Sequence, residues 1–182
     1  MKITDLLSKD AIKLNGIANS KQDAINKLVD LMAKNGNLTD KEKYTQVVLK
    51  REEEGSTGIG EGIAIPHGKT DAVSKPGLSA MVINDGVEFD SLDGQPAKLL
   101  FLIAAPNTKD NVHLDVLGKL SVLLMDEDFT NKLKSAKSVE EFLKIIDDAE
   151  SEKDEEIIHQ VVLLIIVHKI LHKIVQIVLR KK

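Results

Sequence analysis

GSTGIGEGIAIPHGKT, residues 55–70, places glycines at 55, 58, 60 and 62 ahead of a short apolar run that ends on Pro66, His67 and Gly68. Ile63 and Ile65 are β-branched, and the run is bounded by glycines, so GIAIP predicts a short strand. Glycines so closely spaced make a permissive loop, at a cost in folding entropy that binding or chemistry can justify. One imidazole therefore sits where a strand meets a loop. A phosphate-gripping loop, a metal ligand, a covalent nucleophile and a structural histidine are all consistent with that placement.

On either side, the chain alternates between strand and helix signals. KLLFLIAA, residues 98–105, is almost wholly apolar and stops at Pro106, as a strand buried on both faces does. LSAMVIN, residues 78–84, predicts a second long strand after Pro76-Gly77, and AIKLN, residues 11–15, a minor one. SKQD at 20–23, TDKE at 39–42 and SVEE at 138–141 have the capping-box form. Ala24, Ile25, Leu28, Leu31 and Met32 then follow at helical spacing, with Gly36 as the stop. Further helices are expected over about 40–51, from Val112 through Leu124, and over 139–148. Mixed in this order, the elements predict an α/β sandwich with at least one central buried strand.

Composition narrows the chemistry. The 182 residues contain no cysteine, which removes disulfides, thiolate metal sites and a cysteine nucleophile, and fits a cytosolic protein. MKITDLLSKD lacks the apolar core of a signal peptide. The net charge of −4, with no Trp, one Tyr and four Phe, argues against nucleic-acid binding. The charge is uneven: residues 151–182 carry six Lys/Arg against four Asp/Glu, a net of +2, so residues 1–150 carry −6. A low-complexity stretch, IIHQVVLLIIVHKILHKIVQIVLRKK, follows the acidic SEKDEE, and a domain boundary is placed near residue 150.

Two of the four readings of the loop fail on spacing. A nucleotide P-loop ending in the GKT of 68–70 needs glycine at 63, which is Ile, and Pro66 lacks a backbone donor. The dinucleotide pattern starting at Gly58 needs glycine at the same position. A zinc site wants three or four clustered ligands, and only His113 accompanies His67 before the tail. His168 and His172 lie at helical i,i+4 spacing but lack the glutamate of H-E-x-x-H, so they read as polar positions of an amphipathic helix. A nucleophile and a structural histidine both remain open. Imidazole is a competent covalent nucleophile near neutral pH.

STGIGEGIAIPHG, with FLIAAPNTKDNVHLDVLGKLSVLL at 101–124, resembles the fructose/mannitol-type enzyme IIA domains of the bacterial phosphoenolpyruvate-dependent sugar phosphotransferase system. The resemblance spans about residues 1–150 and implies a mixed β-sheet flanked by helices. It further implies that His67 accepts a phosphoryl group on Nε2 from the carrier protein HPr and passes it to an enzyme IIB cysteine. No cofactor or metal is then needed, since the P–N bond carries the energy, and the domain does not bind sugar or meet the membrane except through its transporter. His113 matches the family's second active-site histidine, and Arg51 the arginine before the glycine loop. Each has a plainer role available: Arg51 falls in the last turn of a helix, where any cation is favourable, and His113 near a helix start. Thr57 and Ser79 are further candidate donors to phosphate. Gly118 departs from the family's usual alanine, at a cost of about 1 kcal/mol in helix propensity.

Transport of a sugar, most like fructose, is the expected role, and regulation in the manner of nitrogen-regulatory enzyme IIA homologues is the alternative. The tail, 151–182, is expected to be a linker, helical or foreign to the domain. From His168 onward its polar residues His168, Lys169, His172, Lys173, Gln176 and Arg180 fall on one arc, while 161–167 are apolar all round. Lys169 and Lys173 count against a membrane span. A helix packed on the domain or on another copy is therefore expected.

Overall fold

The computed structural model describes residues 1–180, except for the side chains of Val112, His113 and Arg180. The chain divides into two compact units, Met1–Asp147 and Asp148–Lys182.

The first unit opens with a short helix α1 (Ile3–Leu6), a single 3-10 turn at Lys9–Ala11 and strand β1 (Ile12–Lys13). Helices α2 (Lys21–Ala33) and α3 (Lys41–Glu54) follow, then the strands β2 (Gly58–Gly60), β3 (Ile63–Ala64), β4 (His67–Thr70), β5 (Gly77–Val87) and β6 (Ala97–Pro106). Helices α4 (Val112–Leu124) and α5 (Glu127–Lys134) precede α6 (Val139–Arg180). Side-chain caps define several starts. Ser20 Oγ accepts from the Asp23 N–H at 3.1 Å, and Ser138 Oγ from the Glu141 N–H at 3.0 Å. In the second capping sequence the cap is Asp40, not Thr39: its carboxylate accepts from the Lys43 N–H at 2.9 Å.

The sheet is mixed, with order β1-β5-β6-β3-β2 and β4 also on β6. The apolar run at 98–105 forms β6 at its centre, antiparallel to β5 on one side and parallel to β3 and β4 on the other. Alternate residues of β6 enter two cores. Leu100, Leu102 and Ala104 join the cluster built by Ile25, Leu28, Met32, Tyr44 and Val48 of α2 and α3. On the opposite face Phe101 meets Phe142 with ring centroids 6.0 Å apart. Both faces are thus covered by helices, which is why this strand reads as continuous hydrophobicity without alternation.

Three features depart from the sequence reading. Residues 67–70, read as a loop after a strand, are themselves the strand β4. Helix α5 was not expected, although Asp126 supplies its cap, accepting from the Asp128 and Phe129 N–H groups. The last helix does not stop near 148 but continues to Arg180, since no glycine or proline follows Gly118.

Candidate functional site

His67 stands where one edge of the sheet is interrupted. Strands β3 and β4 keep a single parallel register on β6, with Ile63 opposite Leu99 and His67 opposite Ile103, so Ile65-Pro66 is a break in pairing without a slip. Up to that break β2 covers the outer edge of β3, and the Ile65 N–H still donates to the Thr57 carbonyl at 3.0 Å. Pro66 has no N–H to continue the pairing outward. Its carbonyl instead accepts from the Ile103 N–H at 3.1 Å, which holds the next residue on β6. His67 is thus the first residue beyond the covered edge, and it is half-buried.

Its ring is oriented by the chain just before it. Nδ1 lies 2.9 Å from the Ile65 carbonyl oxygen. A carbonyl can only accept, so Nδ1 carries the proton and a neutral ring keeps its lone pair on Nε2. Gly68 next to it is buried against α3. A Cβ there would lie 3.0 Å from Val48 Cγ2, 3.1 Å from Tyr44 Cε2 and 3.3 Å from Val47 Cγ1. The missing side chain therefore lets α3 lie close against β4. Tyr44 fixes the same contact by donating its hydroxyl to the Ile103 carbonyl at 2.8 Å. Burial pushes the Tyr44 phenol well above its ordinary pKa, so it remains a neutral donor.

Helix α3 also brings Arg51 to the site. Arg51, His67, Gly68, Lys69 and Val47 line one cavity of about 210 Å³, together with Ile103, Leu114 and Leu117. Two cationic side chains and an imidazole thus share an otherwise apolar recess. Arg51 donates from Nη1 to the Gly55 carbonyl at 3.0 Å, which ties the guanidinium to the first glycine of the loop. The His113 side chain lies outside the described residues. Among the described residues no group of three or more His, Cys, Asp or Glu is placed to hold a metal ion.

Thr57 and Ser79 do not line the cavity, and their hydroxyls are already engaged. Ser79 is fully buried on β5 and donates to the Leu28 carbonyl at 2.8 Å, so the reading of it as a phosphate donor is corrected. Thr57 donates to Glu52 Oε2 at 2.6 Å, and its N–H to Glu52 Oε1 at 2.8 Å. Glu52 is the residue that sequence reasoning missed. Its buried carboxylate also meets Lys21 Nζ at 3.2 Å, while Lys21 lies 5.0 Å from the Phe89 ring centroid and pairs with Asp90 at 3.3 Å. In sequence Glu52 is one member of the run REEE and carries no mark of burial.

The hairpin leading to His67 is clamped from outside. Glu61 and Gly62, the two residues between β2 and β3, both have positive φ, 56° and 79°, as a two-residue hairpin requires. Asp93 Oδ2 accepts from the Glu61 N–H at 2.8 Å, and Lys134 Nζ donates to the Glu61 carbonyl at 3.1 Å. The two N–H donors at Glu61 and Gln95 hold the Asp93 carboxyl below its ordinary pKa. Burial lowers that of Lys134.

The fold and the recess define a mixed-sheet protein that carries one oriented imidazole beside two cationic side chains. The chain belongs to the family described as "Phosphoenolpyruvate-dependent sugar phosphotransferase system, EIIA 2", which it matches over residues 5–149. It is 47% identical over 146 residues to the fructose-specific EIIABC component of Bacillus subtilis, covering 80% of this chain but only 23% of that protein. Against the fructose-specific EIIA component of Haloferax volcanii it is 40% identical over 141 residues, 76% of this chain and 92% of the relative. A nitrogen regulatory protein of Bradyrhizobium diazoefficiens is 37% identical over 149 residues, 80% and 95% of the two chains. Among solved structures, nitrogen regulatory protein IIA-Ntr from Neisseria meningitidis aligns with TM-score 0.74 and 29% identity, covering 79% of this chain and 98% of its own. The mannitol enzyme IIA of Escherichia coli, solved in complex with phosphorylated enzyme IIB, aligns with TM-score 0.69 and 31% identity over 79% and 99% of the chains. Members of this family are phosphotransferase components, and the mixed sheet flanked by helices is theirs.

Proposed function

We propose that residues 1–150 form a phosphocarrier domain in which His67 Nε2 accepts a phosphoryl group from phospho-HPr and passes it to a cysteine of enzyme IIB. The observation that carries this reading is the hydrogen bond from Nδ1 to the Ile65 carbonyl. It leaves the Nε2 lone pair free to attack phosphorus, and no proton has to leave the ring. The N–P bond to His67 forms as the donor's bond to phosphorus breaks, and Nδ1 keeps its proton throughout. Return transfer to a thiolate reverses these changes at His67. Arg51 offers a forked cation to the phosphoryl oxygens, on releasing Gly55 or beside it. His113 is the second donor in this reading. The apolar lining of Val47, Ile103, Leu114 and Leu117 lowers the local dielectric, which strengthens those contacts. As in other N-phosphoryl histidines, the bond would be acid-labile and base-stable.

Fructose is the favoured sugar system, on the identity with the two fructose-specific relatives. A regulatory role is the second reading, favoured by the nitrogen regulatory protein that this chain matches along 95% of its length. The test is to charge the protein with phosphoenolpyruvate, enzyme I and HPr, then offer purified IIB domains of different sugars. Transfer to a fructose IIB is the expected result, and phosphorylation with transfer to none favours the regulatory role. Failure of His67 to become phosphorylated overturns the proposal as a whole.

A further inference from the structure

The second unit consists of helix, and its apolar side chains are exposed. Val161 to Val167 are seven consecutive aliphatic residues, each between 44% and 70% exposed. Ile170, Leu171, Ile174, Val175, Ile177, Val178 and Leu179 continue the exposure. Two turns of helix that are apolar around the whole circumference have no side suited to water. A single partner helix covers one stripe of such a surface and leaves the rest wet. Only a surrounding apolar medium, or several helices at once, removes it.

Charge decides between these. From residue 157 to the end of the sequence there is no Asp or Glu, whereas Lys169 and Lys173 share one arc with His168, His172 and Gln176. Arg180, Lys181 and Lys182 follow in sequence. The acidic residues Glu152, Asp154, Glu155 and Glu156 are confined to the preceding turns. A bundle of parallel copies would turn the basic arcs outward, but it would also leave the outward side of 161–167, which is aliphatic, in water. A lipid bilayer surrounds the aliphatic turns on every side, and the helix is long and apolar enough to enter one, with Lys169 and Lys173 reaching toward the headgroups through their long side chains. Lipid thus meets both demands, with acyl chains around residues 161–167 and headgroup phosphates for the basic residues of the C-terminal arc. Residues 157–180 give it a length of about 36 Å at ~1.5 Å per residue.

We propose that this helix inserts into an anionic lipid bilayer and holds the enzyme IIA unit at the membrane surface. In this proposal lipid takes the place of the domain or second copy expected to cover the tail. The inference is independent of the phosphoryl-transfer reading, because it uses no residue of the His67 site.

The test is sedimentation of the full-length chain with vesicles of phosphatidylcholine alone and of phosphatidylcholine with about a third phosphatidylserine, at low and high salt. Binding to the anionic vesicles, weakened by salt, is expected. The double variant K169E/K173E should lose affinity by on the order of tenfold or more. Ile165→Asp with Ile166→Asp should abolish binding, while far-ultraviolet circular dichroism verifies that the enzyme IIA unit remains folded. Equal binding to both kinds of vesicle overturns the anionic recognition. Self-association in solution with no sedimentation on either vesicle overturns the proposal in favour of a helical bundle.

Discussion

His67 Nδ1 donates to the carbonyl of Ile65, only two residues earlier, across the one proline that interrupts the strand edge. The same Ile65 is held through its N–H by the Thr57 carbonyl, and Thr57 in turn by the buried Glu52 carboxylate. Imidazole orientation is thus anchored in three steps to a charge on α3, the helix that also carries Arg51.

His67→Ala should abolish phosphate acceptance from phospho-HPr and change unfolding free energy by less than about 1 kcal/mol, because the half-buried ring contributes little to either core. Intact mass under non-acidic conditions, paired with urea denaturation, checks both halves. Phosphate retained by the variant contradicts the assignment of Nε2 as acceptor.

Glu52→Ala removes the acceptor for both the Thr57 N–H and hydroxyl and leaves Lys21 without its buried partner. A loss of about 1–3 kcal/mol in stability is expected. Nitrogen NMR should also show the His67 tautomer shifting away from Nδ1–H, with slower phosphoryl transfer. An unchanged tautomer would confine Glu52 to a stability role.

Gly68→Ala inserts a methyl group where three α3 side-chain atoms already stand 3.0–3.3 Å away. Overpacking of this kind costs about 1–3 kcal/mol. Since the displaced helix carries Arg51, transfer should slow as well. Valine at Tyr44 tests the same contact differently, because the Ile103 carbonyl then loses its donor while space is freed. The alanine variant should regain part of its lost stability in that background.

Acid should loosen the Glu61 hairpin. Because its folded pKa is depressed, Asp93 stabilises the fold fully only above its unfolded value of about 3.9. That contribution falls away as pH drops through the lower folded value. Denaturant midpoints at pH 6, 4 and 3 should therefore fall less steeply for Asp93→Asn than for the unmodified chain. Parallel curves would show that the carboxylate does not clamp the turn.

Much of this architecture is carried by local signals. Capping residues at Ser20 and Ser138, the aliphatic run of β6 and the breakers Pro76-Gly77 act within a few residues of the elements they define, so they can be read without the fold. The order of those elements carries the α/β sandwich, and the resemblance of the glycine–proline–histidine segment carries the family and its mixed sheet. What tertiary structure decided lies between distant segments. That His67 begins a strand depends on the register of β6, some thirty-six residues later. Ser79 faces Leu28 because β5 packs on α2, and nothing beside Ser79 in sequence records that. Glu52 is one of three consecutive glutamates, and only the return of the chain at Thr57 and the approach of Lys21 bury its carboxylate. Side-chain chemistry is written residue by residue, but burial and partnership belong to surfaces that meet only when the chain has folded.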